Sequence, residues 1–109
     1  MPKHKLSIYQ VFIEGLLIVL SFANIYFILD KINPNSFSIP LNLVDSIYFS
    51  VITAFTIGYG DILPVNKTIK LIVILEVIIF YIYTVFAIGV FLSVFLNKNQ
   101  PDSEKTNDT

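Results

Sequence analysis

Two long apolar blocks, residues 6–29 (LSIYQVFIEGLLIVLSFANIYFIL) and 69–96 (IKLIVILEVIIFYIYTVFAIGVFLSVFL), dominate this 109-residue chain and leave it few folds to choose from. At ~1.5 Å per residue, either block as a helix is longer than the ~30 Å of hydrocarbon in a bilayer. Neither shows the two-residue alternation of a barrel strand, so both are expected to be transmembrane helices whose backbone groups are satisfied internally. The composition agrees, with 55% hydrophobic and only 14% charged residues where a soluble domain carries about 25% charge. A net charge of −1 provides no basic footprint for nucleic acid. The absence of cysteine excludes disulfides and thiolate chemistry. The lone histidine, His4, sits in a polar N-terminal leader, residues 1–5, and cannot build a metal site by itself. Lys3, His4 and Lys5 could head a signal peptide, but the apolar run behind them is too long and no small-x-small cleavage pattern closes it.

The centre of the chain is heterogeneous. Residues 31–42 (KINPNSFSIPLN) hold two prolines and three asparagines and read as a loop. The next dozen residues are apolar nearly all round and predict a buried helix over 44–55, too short to cross a membrane. This helix runs into the glycine-containing stretch Thr56-Ile57-Gly58-Tyr59-Gly60-Asp61. A short buried helix followed by Gly-x-Gly between two spans predicts a re-entrant loop, tolerated at membrane depth only where protein or water surrounds it. The tail, residues 97–109, is polar and of mixed charge and is expected to be disordered.

The residues TIGYGD resemble the selectivity filter of potassium channels, in which four TVGYG loops replace an ion's hydration shell with carbonyl oxygens. Ile57 stands where valine is usual, one β-branched residue for another. The preceding DSIYFSVITAFT is similar to the pore helix of the same family, the two-transmembrane-helix, one-pore-loop channels. The resemblance runs from about Asp45 to Leu96. It implies an all-α membrane protein with an outer helix (6–29), a re-entrant pore helix (44–55), a filter (56–61) and an inner helix (69–96), which joins three further identical subunits as a homotetramer in the lipid bilayer. It implies a multi-pass protein of the cell membrane with both termini cytoplasmic. The lysines barely discriminate orientation, since Lys3, Lys5 and Lys98 flank the outer ends of the spans and Lys31, Lys67 and Lys70 lie between them. The implied function is passive K+ conduction, with K+ as permeant ion at Thr56, Ile57, Gly58 and Tyr59, no cofactor and no catalysis.

The glycine spacing has a physical reason. Consecutive carbonyls point to one side only if residues alternate between right- and left-handed backbone, and L-residues pay roughly 1–2 kcal/mol in the left-handed state while glycine pays almost nothing. Gly58 and Gly60 supply those positions; Ile57 and Tyr59 are then expected to pack behind the filter, and Thr56 to offer carbonyl and hydroxyl at the inner mouth. The C-terminal end of the pore helix, near Ala54 and Phe55, is expected to aim partial negative charge at a central cavity. Asp45 sits where a helix N-cap is preferred, and the pair Tyr48-Phe49 is expected against the filter.

Several residues carry paired readings. Asp61 either concentrates cations and braces the filter through Tyr48, or simply ends the loop. Glu76, inside the second span, is a functional candidate by its position. Its spacing from Thr56 resembles that of a glutamate in the inwardly rectifying branch, but the arginine that accompanies that glutamate is missing here, since this chain has none. Bracing the back of the pore helix, in ionised or protonated form, is therefore expected of Glu76 rather than a direct role in conduction. Glu14 either lies in an interfacial turn or is buried. Tyr81, Thr84, Ile88, Leu92 and Phe95 share a helical face that lines the pore or else contacts the first helix. Gly89 is a gating hinge or a close-packing point, because the family's usual hinge position holds Phe80. The alternatives to a selective channel are a weakly selective cation channel of the same fold and a non-conducting assembly or regulatory subunit.

Overall fold

The computed structural model describes residues 3–99, with side chains from residue 8 onward. Three helices follow one another: α1 (Lys3–Ile32), α2 (Leu43–Ala54) and α3 (Lys67–Lys98). The described chain is thus all-helical, apart from one isolated antiparallel bridge between Phe37 and Pro64. Both α1 and α3 contain stretches long and apolar enough to cross a membrane.

Each long helix extends past its apolar block. No glycine or proline separates Lys3 from the first block, so residues 3–5 of the expected leader are helical and continue into α1, while residues 1 and 2 lie outside the described residues. At the other end, α1 runs on through Asp30 and Lys31 because both find partners. Asp30 Oδ2 accepts from the Leu41 amide at 2.9 Å, and Lys31 Nζ donates to the Leu41 carbonyl at 3.0 Å. Lys31 also lies 5.0 Å above the Phe27 ring, a cation–π contact. The inner helix is bounded by Asn66 and Asn99, so residues 97 and 98 belong to it; residues 100–109 of the expected disordered tail lie outside the described residues. Hydropathy measures the length facing lipid, whereas caps decide where a helix ends.

The N-cap of α2 is Asn42 and not Asp45. Asn42 Oδ1 accepts from the Asp45 amide at 2.7 Å, which puts Asp45 in the first turn, where its charge meets the positive end of the helix. Asn66 caps α3 in the same way, accepting from the Ile69 amide at 2.8 Å. Replacing Asn42 with alanine leaves that amide without its acceptor. A loss of about 1 kcal/mol is expected, seen as a lower thermal midpoint of the purified protein.

The packed interior lies at the loop-bearing end. Phe22, Tyr26, Phe37, Leu41, Phe49, Ile62 and Ile69 form one buried cluster drawn from all three helices and both loops. Tyr26, Phe37 and Phe49 meet edge to face with centroids 5.1–5.8 Å apart, the arrangement ring quadrupoles favour. A second cluster, Val19, Ala54 and Phe80, joins the helices beneath the end of α2. Backbone bonds at the bridge, Ser38 N to Leu63 O and Val65 N to Ser36 O, both 2.8 Å, tie the first loop to the chain leaving the 56–61 segment.

Candidate functional site

Helix α2 presents the 56–60 segment as an overhang. Its buried residues Ser46, Phe49, Ser50, Ile52 and Ala54 seat it against its neighbours, and at 12 residues it covers only ~18 Å before the backbone turns. The turn is held by the helix's own last carbonyls. Phe55 N donates to Val51 O (3.0 Å), Thr56 N to Thr53 O (3.1 Å), and the amides of Ile57 and Gly58 both to Ile52 O (2.8 and 3.2 Å). Three of the four carbonyls that end α2 are therefore engaged, so the helix terminus anchors this segment.

Backbone handedness alternates from here on. Thr56, Gly58 and Gly60 have φ of +57°, +57° and +84°, while Ile57 and Tyr59 are not among the positive-φ residues. A Cβ built on Gly58 or Gly60 would meet nothing within 4 Å, so conformation and not space is what requires glycine there. Thr56 is the surprise. A β-branched residue rarely adopts positive φ, and the strain of about 1–3 kcal/mol is of the kind that collects at functional sites. Its hydroxyl donates to the Phe55 carbonyl at 2.6 Å, which leaves the oxygen lone pairs available to a cation. Ile57 and Tyr59 do not pack behind the segment within this chain: they are 49% and 70% exposed. No described residue of this chain covers them.

The supports differ in their burial. The Tyr48 hydroxyl donates to Asp61 Oδ2 at 2.7 Å, and Asp61 Oδ1 accepts from the Ile62 amide at 3.1 Å. That hydrogen bond, with a smaller contribution from desolvation, pushes the Tyr48 hydroxyl up to about 12, so it stays a donor through the physiological range. Only Tyr48 of the aromatic pair reaches the segment. Phe49 points the other way, into the Tyr26–Phe37 cluster, because adjacent helical residues do not share a face. Glu76 is fully buried where the three helices meet; Tyr26 donates to its Oε1 at 2.7 Å, and Ser50 Oγ lies 2.7 Å from its Oε2. Tyr26 and Ser50 carried no sequence signal, since an apolar-looking tyrosine and a helix serine are common in spans.

On α3, the face toward the other helices holds Ile69, Glu76 and Phe80, all buried, and Tyr83. Tyr81, Ile88, Leu92 and Phe95 are exposed on this chain, and Thr84 is half-buried with its hydroxyl donating to the Phe80 carbonyl at 2.7 Å. Thr84, Ile88 and Leu92 also wall an apolar cavity of about 560 Å³ that Val11, Phe12 and Gly15 close from the α1 side. Gly89 has open space around it and is no close-packing point among the described residues of this chain. That role belongs to Gly15, where a Cβ would come within 2.5 Å of the Tyr83 hydroxyl, itself donating to the Val11 carbonyl. Phe80 sits between Phe55, which it meets edge to face, and Tyr83, whose ring is tilted against it, with both centroids at 5.2 Å. Glu14 is half-buried and accepts from Gln10 at 3.3 Å.

A family described as Ion channel matches residues 14–97. The chain is 34% identical over 77 residues to a potassium channel K2 of Plasmodium falciparum (isolate 3D7), covering 65% of this chain and 5% of that protein. It is 37% identical over 70 residues to two pore potassium channel a of Oryza sativa subsp. japonica, covering 64% of this chain and 18% of the relative. The chain thus spans only a small part of the length of these relatives.

Proposed function

This chain belongs to the ion channel family, and from that premise we propose that it is one subunit of a potassium-selective channel in which four copies surround a common axis. It is an integral membrane protein and not an enzyme, since a channel makes and breaks no covalent bonds. The observation that carries the reading is the alternation of handedness over Thr56, Gly58 and Gly60. Such alternation turns successive carbonyls of Thr56, Ile57, Gly58 and Tyr59 to the same side, and a fourfold ring of them replaces the water around a dehydrated K+. Ions in neighbouring rings repel one another, which lets each leave after binding. One chain supplies only a quarter of each ring, and the exposure of Ile57 and Tyr59 is what a subunit awaiting its neighbour would show. Potassium channel relatives at 34% and 37% identity support the choice of ion. We place both termini on the cytoplasmic side of the cell membrane, and Tyr81, Ile88 and Leu92 along the inner pathway with Thr84 beside them.

The test is the reversal potential of the purified protein in a planar bilayer, with K+ on one side and Na+ on the other. Reversal close to the K+ equilibrium potential is expected. Robust current reversing near zero would replace selectivity with a general cation pore, and no flux through verified tetramers would favour an assembly subunit. Tyr48→Phe removes the donor to Asp61 and loosens the outer end of the carbonyl stack. It is expected to hasten the decay of K+ current during sustained voltage, with a rate indistinguishable from wild type counting against the brace.

A further inference from the structure

Three oxygen–oxygen contacts converge on Glu76. The Tyr26 hydroxyl is 2.7 Å from Oε1, Ser50 Oγ is 2.7 Å from Oε2, and the same Ser50 Oγ is 2.7 Å from the Val19 carbonyl oxygen. Oxygens this close need a proton between them, because two facing lone pairs repel. Tyr26 and Ser50 carry one hydroxyl proton each, and the carbonyl carries none. A Ser50 proton shared between two acceptors would leave both bonds bent and weak, against two contacts of equal and favourable length. Two hydroxyls thus supply two of the three protons.

From this count we infer that Glu76 is a neutral carboxylic acid, and that in this form it is a positioning residue for the filter. Glu76 Oε2–H donates to Ser50 Oγ, Ser50 donates to Val19 O, and Tyr26 donates to Oε1. One acid group thereby joins α1, α2 and α3 with every proton placed. A neutral acid also suits the site, since Glu76 is fully buried and an ionised carboxylate in an apolar interior demands a charged partner. The bonds of Glu76 are to Tyr26 and Ser50, and Tyr26 is the titratable side chain among them. The route to the filter is short: Ser50 lies two residues before Ile52, whose carbonyl holds the amides of Ile57 and Gly58. Glu76 therefore sets where α2 sits, and α2 sets where those carbonyls point. This part of the inference rests on the channel reading above, whereas the protonation state does not.

The experiment uses the full chain reconstituted in lipid at neutral pH, in wild-type, Glu76→Gln, Tyr26→Phe and Glu76→Leu forms. Infrared absorption should show a neutral carboxyl C=O band in the wild type that is missing in Glu76→Gln. In Tyr26→Phe the band should move to higher frequency, because its C=O has lost a donor. No band difference between wild type and Glu76→Gln would overturn the protonation state, whatever the protein conducts. A glutamine reproduces the whole proton pattern, with its NH2 donating to Ser50 and its carbonyl accepting from Tyr26. Glu76→Gln should therefore keep the wild-type K+ over Na+ preference, while Glu76→Leu loses it by roughly tenfold or more. Equal damage in Glu76→Gln and Glu76→Leu tetramers would overturn the positioning role. A wild type that never discriminates K+ from Na+ would defeat the proposed function and the positioning role with it, while leaving the infrared result to judge the acid.

Discussion

Gly58→Ala is expected to abolish potassium-selective current while leaving the tetramer assembled. At φ +57° an alanine pays roughly 1–2 kcal/mol, and a fourfold ring pays it four times, on the order of 4–8 kcal/mol in all. Nothing lies within 4 Å of the added methyl, so no clash spreads into the helices and the cost stays in the local backbone. That backbone can relieve it only by leaving the left-handed region, which swings a carbonyl away from the shared axis. The reversal potential should then move from the K+ equilibrium value toward zero, or current should vanish, with an unchanged elution volume on gel filtration. Retained selectivity would mean that these carbonyls are not the ones an ion meets. Thr56 shows that this segment tolerates some strain. It already holds positive φ with a β-branched side chain, which leaves less room for a second strained position nearby.

The second large effect is expected at Phe80→Ala. Phe80 is buried between Phe55, the residue capping α2 immediately before Thr56, and Tyr83, which is bonded to the α1 backbone at Val11. In a water-soluble core such a truncation costs ~3–5 kcal/mol. In lipid the transfer term largely disappears and lost packing remains, so about 2 kcal/mol is the expected loss. A lower thermal midpoint of the tetramer in lipid or detergent would register it, together with unsteady conduction as Phe55 loses its backing. Wild-type stability would show that the neighbouring side chains collapse into the space.

Much of this architecture is legible in the residue order. Two blocks of apolar residues longer than a bilayer is thick leave a helix as the economical solution, and a short apolar segment between them leaves a re-entrant one. Gly58 and Gly60 announced the left-handed positions, since only glycine takes them at almost no cost. Thr56 did not, because a side chain strained by its surroundings looks like any other threonine. The choice of Asn42 over Asp45 as cap was likewise hidden. Both residue types cap well, and the one that acts is decided by where the loop pinned through Leu41 delivers the chain. The need for glycine at position 15 is not local, because its reason is Tyr83, 68 residues away in sequence.

The distinction follows from the range of the interactions. Residue order is enough for what depends on solvent and local backbone: the number of spans, the class of fold, the reach of the short helix and two of the three left-handed residues. Tertiary structure alone decided how buried polar groups are matched: Asp30 with Leu41, Tyr48 with Asp61, and Tyr26, Glu76 and Ser50 with one another. It also decided which aromatic of Tyr48-Phe49 faces the 56–61 segment, and it left Ile57 and Tyr59 uncovered. An apolar span is favourable against lipid wherever it lies, so its presence can be read from composition. A buried hydrogen bond has worth only when its partner arrives at ~2.7 Å and the right angle, and that meeting is set by how three helices cross.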